Sequence, residues 1–245
     1  MLKKALIVVT SNDKLGNSGM QTGWYLSEVS HVYSHLKDSG FVIDIASPKG
    51  GIAPVDKGSL KMDDPINKYF AEQMISGEGI PTVALSGEDP ENYQVIYLAG
   101  GHGTMWDFPD DQDLQNIIKS IYERNGIVAA VCHGPAGLVN VKLSDGSFLV
   151  EGKEMTSFTD NEEREVGKDD VVPFMLQTKL QSQGAHFIAG KNWENKVIIC
   201  ERLITGQNPQ SATSLAHAIV EQYNKLGENL RYQADDGEAS DIWPV

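Results

Sequence analysis

Four nearly uninterrupted apolar runs, Ala5–Val9, Phe41–Ala46, Val95–Leu98 and Ile127–Val131, limit the possible folds of this chain more than any other feature. A strand with one face in water alternates apolar and polar residues. These runs do not alternate, so each strand must be covered on both faces. Helical periodicity fills the intervals. Met20–Lys37 carries Tyr25, Val29, Val32 and Leu36 on one face and is ended by Gly40. Asp111–Arg124 carries Leu114, Ile117, Ile118 and Ile121, and Asn208-Pro209 opens a helix expected to run to about Leu226. Val197–Cys200 is a fifth candidate strand, and shorter ones lie near Glu154–Phe158 and His186–Ile188. Strands and helices in alternation predict an α/β fold built on a doubly wound parallel sheet.

Two regions interrupt the alternation. Lys49–Asp89 is rich in Gly, Pro and Asp and weakly periodic, and reads as an inserted helix with loops. Glu151–Gln183, with its acidic Glu162-Glu163-Arg164-Glu165, reads as a second insertion. The expected organisation is one α/β domain over 1–227, with insertions near 49–89 and 151–183, followed by an acidic tail at 228–245. At 245 residues, with 40% hydrophobic and 22% charged residues, the chain can bury an ordinary soluble core. A formal charge of -14 argues against nucleic acid and anionic membranes as partners. No stretch approaches the roughly 20 apolar residues that span a bilayer. The N-terminal apolar run is too short for a signal peptide, and two cysteines make no disulfide framework. A reducing cytoplasm is the expected location.

The run Gly126–Val131 ends on Cys132-His133-Gly134-Pro135. A buried strand that delivers cysteine into a tight turn of small residues is the sulfur counterpart of the strand–nucleophile–helix elbow. A helix starting behind the sulfur favours thiolate, and His133 brings a base beside it. The plain alternative is a core cysteine with a histidine neighbour.

In an open parallel sheet, function gathers beyond the carboxyl ends of the strands. Val95–Leu98 opens into Ala99-Gly100-Gly101-His102-Gly103-Thr104, whose glycines let backbone N–H groups converge. The pattern is not G-x-G-x-x-G, and Asp107, Asp110 and Asp111 lie close behind it, which disfavours phosphate. A donor loop for a developing oxyanion at Gly101 and His102 fits better, with the His133 amide as a further donor. Glu28 lies three residues after Tyr25 and four before Val32, near the apolar face of its helix. An inward carboxylate is costly unless protonated or paired, and a nucleophilic sulfur is a partner that offsets the cost. On periodicity alone, a rim glutamate paired with lysine is the alternative.

Thr156-Ser157-Phe158-Thr159-Asp160-Asn161-Glu162-Glu163 forms a third group. Asp160 reads as a helix cap, and either Glu162 or Glu163 can orient the His133 imidazole. Spacing does not choose between them. His31 and His35 share an i, i+4 face but lack a third ligand, so they read as surface residues. Cys200 reads as core, and His186 and His217 have no evident partner.

Four segments together, Ala99–Asp110, Ala130–Ala136, Thr156–Glu163 and Leu203–Ser211, make the chain resemble the ThiJ/PfpI superfamily. Within it they resemble the glutathione-independent glyoxalase III and heat-shock chaperone branch, from Leu6 to about Leu226. The resemblance implies a flavodoxin-like three-layer sandwich with a mostly parallel sheet, a homodimer, and conversion of methylglyoxal to lactate without a metal or organic cofactor. It places the nucleophile on Cys132, the base on His133, the carboxylate of the T-x-F-T-x-x-x-E pattern on Glu163 and the carboxyl beside sulfur on Glu28. The partner it implies is a small 2-oxoaldehyde. A protein deglycase or cysteine peptidase on the same scaffold, or a stress-response holdase, are the rival readings. Glutamine amidotransferases share the elbow but need a late histidine–glutamate pair that His217 and Glu221 do not form.

Overall fold

The computed structural model describes residues 3–235. In chain order it contains β1 (Lys4–Val8), α1 (Leu26–Asp38), β2 (Val42–Ser47), β3 (Gly51–Pro54), α2 (Pro65–Met74), β4 (Gly79–Ala84), β5 (Val95–Leu98), α3 (Thr104–Asp107) and α4 (Gln112–Glu123). The second half holds β6 (Ile127–Val131), β7 (Glu154–Met155), α5 (Asp160–Glu165), α6 (Leu176–Ser182), β8 (His186–Phe187), β9 (Val197–Cys200), β10 (Leu203–Gly206) and α7 (Ala212–Asp235). One eight-stranded sheet runs β3-β4-β2-β1-β5-β6-β10-β9. Its six inner strands are parallel, and β3 and β9 are antiparallel edges.

The apolar runs are continuous because alternate residues serve two cores. Leu6, Val8, Ile96, Leu98, Val128 and Ala130 pack against Leu114, Ile117, Ile118 and Ile121 of α4. On the other face, Ala5, Ile7, Val95, Tyr97, Ala129 and Val131 meet Val29, Val32 and Leu36 of α1 and Leu215 and Ile219 of α7. Full burial of one such Val, Leu or Ile contributes about 1.5–3 kcal/mol. The chain reverses its winding between β1 and β5, so a crevice opens at the carboxyl ends of β1, β5 and β6.

Four expectations need correction. Helix α1 begins at Leu26 rather than Met20, because the preceding residues bridge elsewhere: Lys14 pairs with Gln21, and the Trp24 N–H donates to Pro54 O at 2.9 Å. The 49–89 insertion holds strands as well as a helix. Pro54 and Pro81 disguised them: Pro54 lies on the edge strand β3, where proline is tolerated, and Pro81 precedes the two residues, Val83 and Ala84, through which β4 pairs with β2. Strand β10 sits inside the sheet beside β6, whereas the expected β9 is only its antiparallel edge partner, reached through a turn at Glu201 with φ 56. Cys200 is therefore half-buried on an edge rather than in the core. Helix α7 also continues past Leu226 to Asp235 and so takes in the start of the expected 228–245 tail, whose remainder from Asp236 lies outside the described residues.

Candidate active site

Strand β6 ends by driving Cys132 to φ 58, a left-handed conformation that costs a non-glycine residue about 1–3 kcal/mol. The backbone on either side holds it there. The Cys132 N–H donates to Gly206 O at 3.0 Å, and its carbonyl accepts from the Phe158 N–H at 2.8 Å. Beyond the elbow the chain makes a five-residue 3-10 turn, Gly134–Leu138, not an α-helix. A turn that short has almost no macrodipole, so the expected helical support for thiolate is missing. Burial pushes the Cys132 thiol well above its ordinary range, and the negative charges of Glu28 and Glu162 push it further; a hydrogen bond from the His133 amide opposes them. The resting sulfur is a thiol, and attack requires a base.

That base is in place. The thiol donates to His133 Nδ1 at 3.3 Å, and His133 Nε2 donates to Glu163 Oε2 at 2.6 Å. All three side chains are buried, and Phe158 lies against the His133 ring at 4.4 Å between centroids. Glu163 has a second imidazole: His102 Nε2 donates to its Oε1 at 2.8 Å, and Lys168 Nζ donates to His102 Nδ1 at 3.4 Å. The two histidines hold the Glu163 carboxyl well below the usual carboxylate range despite its burial.

Glu162 and Glu163, adjacent on α5, point to different tasks. Glu162 closes a capping box with Thr159, accepting from its N–H and hydroxyl at 3.0 Å. Its other oxygen accepts from Trp193 N–H, Gln207 and Asn208 at 2.9, 3.1 and 2.9 Å. It ties three segments together, while Glu163 faces the histidines.

Glu28 enters from α1 on the other side of the sulfur and is fully buried. Its Oε2 accepts from the Gly100 N–H at 2.7 Å, and its Oε1 has no N–H or O–H partner. The Cys132 sulfur is its neighbour, and the interaction raises the thiol. Burial lifts the Glu28 carboxyl to about 8, with the Gly100 amide and the sulfur pulling the other way. Near neutral pH Glu28 is therefore a carboxylic acid. With Oε2 occupied as an acceptor, the proton belongs on Oε1, the oxygen that accepts nothing.

Gly101 takes φ 106, and a Cβ there would lie 2.1 Å from Gly23 O, so only glycine turns the β5 loop past the segment that leads into α1. The expected donor loop thus sits at the site, but His102 contributes its ring to Glu163 rather than only its amide. Asp107, which argued against phosphate, braces the loop after β1 by accepting from Thr10 Oγ1 at 2.8 Å and Ser11 N–H at 2.7 Å.

His102, His133 and Glu163 bring one potential ligand atom each within 4.8 Å of one another. The outer partners assign the wrong tautomers for a metal centre. His133 Nδ1 faces a thiol and His102 Nδ1 faces an ammonium, both donors, so each ring carries its hydrogen on Nε2, where a ligand lone pair would have to be. The cluster is a hydrogen-bonded network. His31 and His35 do not converge either: His31 bonds Thr213 and Asp64, and His35 stacks on His217 at 4.1 Å.

A family model described as the DJ-1/PfpI family matches residues 20–222. The chain belongs to that family. Among its relatives in it, Glyoxalase 3 of Candida albicans is 31% identical over 232 residues, covering 90% of this chain and 98% of the relative. The glutathione-independent glyoxalase HSP31 of Saccharomyces cerevisiae is 33% identical over 237 residues, covering 87% and 95%. The crystal structure of glyoxalase III from Candida albicans superposes with a TM-score of 0.83 at 30% identity, over 90% of this chain and 97% of that one. The Rapid Encystment Protein 24 kDa of Francisella tularensis superposes at 0.85 with 39% identity, over 90% and 99%. This DJ-1/PfpI chain therefore has the flavodoxin-like architecture that its sequence resemblance implied.

Within the DJ-1/PfpI scaffold, Cys132, His133, Glu163 and Glu28 converge, drawn from β6, α5 and α1. The His102 ring contact, Lys168 and the Phe158 stack were not read from sequence. His102 had a signal, since it lies just past β5, and β5 neighbours β6, whose end carries Cys132. Lys168 had none.

Proposed function

We propose that this chain is a glutathione-independent glyoxalase that converts a 2-oxoaldehyde, with methylglyoxal the simplest case, into its 2-hydroxy acid. The observation that carries this reading is a single strained cysteine between a basic group and an acidic one. His133, hydrogen-bonded to Glu163, lies on one side of Cys132, and the protonated Glu28 lies on the other. His133 takes the thiol proton as sulfur bonds the aldehyde carbon, and Glu163 stabilises the imidazolium that forms. The oxygen of the hemithioacetal lies near the His133 amide and the Gly101 turn, where N–H donors favour negative charge. Loss of the C1 proton gives an enediol, and return of a proton at C2 gives a thioester. Glu28 first gives its proton to the oxygen of the new hemithioacetal, and as the resulting carboxylate it takes the C1 proton and returns it at C2. Water cleaves the thioester, releases lactate and restores the thiol. The sum is methylglyoxal plus water to lactate, with no change in overall oxidation level.

Lactate formation from methylglyoxal without glutathione tests the reading, with Cys132→Ser as the inactive control and Cys200→Ser as the active one. Turnover that requires glutathione, or that survives Cys132→Ser, rules it out. The reading includes a homodimer working in the cytoplasm. Light scattering should return twice the 26.8 kDa chain mass. No described helix is long and apolar enough to cross a membrane.

A further inference from the structure

Glu163 has two histidines where one would suffice to orient His133. The second, His102, is nearly as buried as the first and stands on the carboxylate's other oxygen at 2.8 Å, against 2.6 Å for His133. Its ring lies 4.0 Å from the His133 ring, tilted by 40°, with Phe158 edge-on to His102 and tilted by 34° against His133. Lys168, from the segment after α5, closes the far side of His102 at Nδ1.

We propose that His102 is a positioning residue, whose Nε2–H pins Glu163 Oε1 so that Oε2 stays on His133 while the imidazolium forms and decays. A carboxylate held by one donor can swing about its side-chain torsions. Held by two donors on its two oxygens, it keeps one orientation, and the outer-shell partner acts through the residue it fixes. The arrangement needs His102 to stay neutral, because an imidazolium there would compete with His133 for the same charge. The groups facing it are Glu163, His133 and Lys168. Burial, then the neighbouring His133, with Lys168 adding to them, lowers His102 to about 3 against the pull of Glu163. The Lys168 ammonium also offers Nδ1 only donors, which leaves that nitrogen its lone pair.

This rests on Cys132 being the nucleophile served by His133, so the test reads the thiol directly as well as turnover. In a Cys200→Ser background, Cys132 would be alkylated with iodoacetamide across the pH range, alongside kcat and KM for methylglyoxal. His102→Ala should lower kcat by about ten- to a hundredfold with little change in KM, as removal of outer-shell partners commonly does. Its alkylation profile should move to higher pH, because an unpinned Glu163 supports the imidazolium less well. His102→Gln, whose amide can still donate to Oε1, should recover most of both losses and guards against a folding defect in the alanine variant. An unchanged profile, a shift to lower pH, or a glutamine variant no better than alanine overturns the proposal. A wild-type protein that makes no lactate but shows the predicted alkylation shifts would refute the glyoxalase reading and leave the role of His102 standing.

Discussion

The carboxyl of Glu28 and the side chain of Cys132 meet across the bare Cα of Gly100. A Cβ built on that glycine would lie 2.6 Å from Glu28 Oε2 and 2.9 Å from Cys132 Cβ. Both groups are almost wholly removed from water. In such surroundings a carboxylate and a thiolate repel too strongly to coexist, so the pair shares protons rather than shedding them.

Replacing Glu28 by Gln keeps an acceptor for the Gly100 N–H but removes the exchangeable proton. Turnover should fall at least a hundredfold, within the range that a positioned general acid–base supplies. The fold should be retained by circular dichroism. Full activity in Glu28→Gln would confine this residue to holding sulfur and leave all proton transfer to His133.

The same substitution makes a prediction about stability. The Glu28 carboxyl keeps its proton to about 8 in the folded protein, against an ordinary value of 4.5. Between those limits the folded state binds a proton that the unfolded chain has released, so stability falls as pH rises. The contribution is complete below the unfolded value and is lost through the folded one. Glu28→Gln should therefore raise Tm relative to wild type by several degrees at pH 8 to 9, with the gain shrinking toward pH 5. A Tm difference independent of pH would mean that Glu28 is ionised in the folded state.

Burial on both faces made β1, β5 and β6 legible, because a two-sided core admits only apolar residues and the run itself becomes the signal. Strand β10 is equally buried but spells Leu-Ile-Thr-Gly, four residues, half of them with little apolar surface. Strand β4 carries Pro81, and nothing in a single sequence distinguishes a short strand with proline from a loop. At the site, Cys132 and His133 were visible because they interrupt a strand, and Glu28 because it violates an amphipathic pattern. The choice of Glu163 over Glu162 came from family resemblance. Its physical basis is the capping box, which takes Glu162 out of the pocket. The Lys168–His102 contact joins the β5 loop to the segment after α5, and no local pattern encodes it.

Gly100→Ala would insert a methyl where Glu28 Oε2, Val131 O and Cys132 Cβ already stand within 2.9 Å of its position. Backbone cannot yield as a flexible side chain can, so Glu28 or the β5 loop must move. Overpacking of this kind costs about 1–3 kcal/mol, and activity should fall with stability in denaturant titration and lactate assay. An alanine variant of wild-type stability would show that the loop is looser than the packing implies.

The two adjacent glutamates should separate cleanly. Glu163→Gln should cost turnover, because an amide does not stabilise an imidazolium as a carboxylate does. Glu162→Gln should cost chiefly stability. Its oxygens accept five hydrogen bonds, and the amide nitrogen must face donors on one side or the other. A loss of about 2 kcal/mol or more is expected from donors left without an acceptor. Chemical denaturation beside steady-state kinetics distinguishes the pair, and the reverse assignment would move the orienting role to Glu162.

The strain at Cys132 can be measured without reference to the reaction. Its φ of 58 is comfortable for glycine and costly for any residue with a Cβ. Cys132→Ala removes the thiol, its hydrogen bond to His133 and its contact with Glu28, but keeps the Cβ and hence the backbone strain. Cys132→Gly removes the strain as well, at the expense of a more flexible unfolded chain, which costs about 0.5–1 kcal/mol. If the elbow stores strain near the middle of the usual range for such conformations, about 2 kcal/mol, the glycine variant should be about 1 kcal/mol more stable than the alanine variant. Equilibrium unfolding in urea would read that difference, because both variants lack the thiol at position 132 and share every other titratable group. An alanine variant as stable as the glycine variant, or more so, would mean that the turn holds no such strain. Presentation of the sulfur would then be due to the clamp from Gly206 and Phe158.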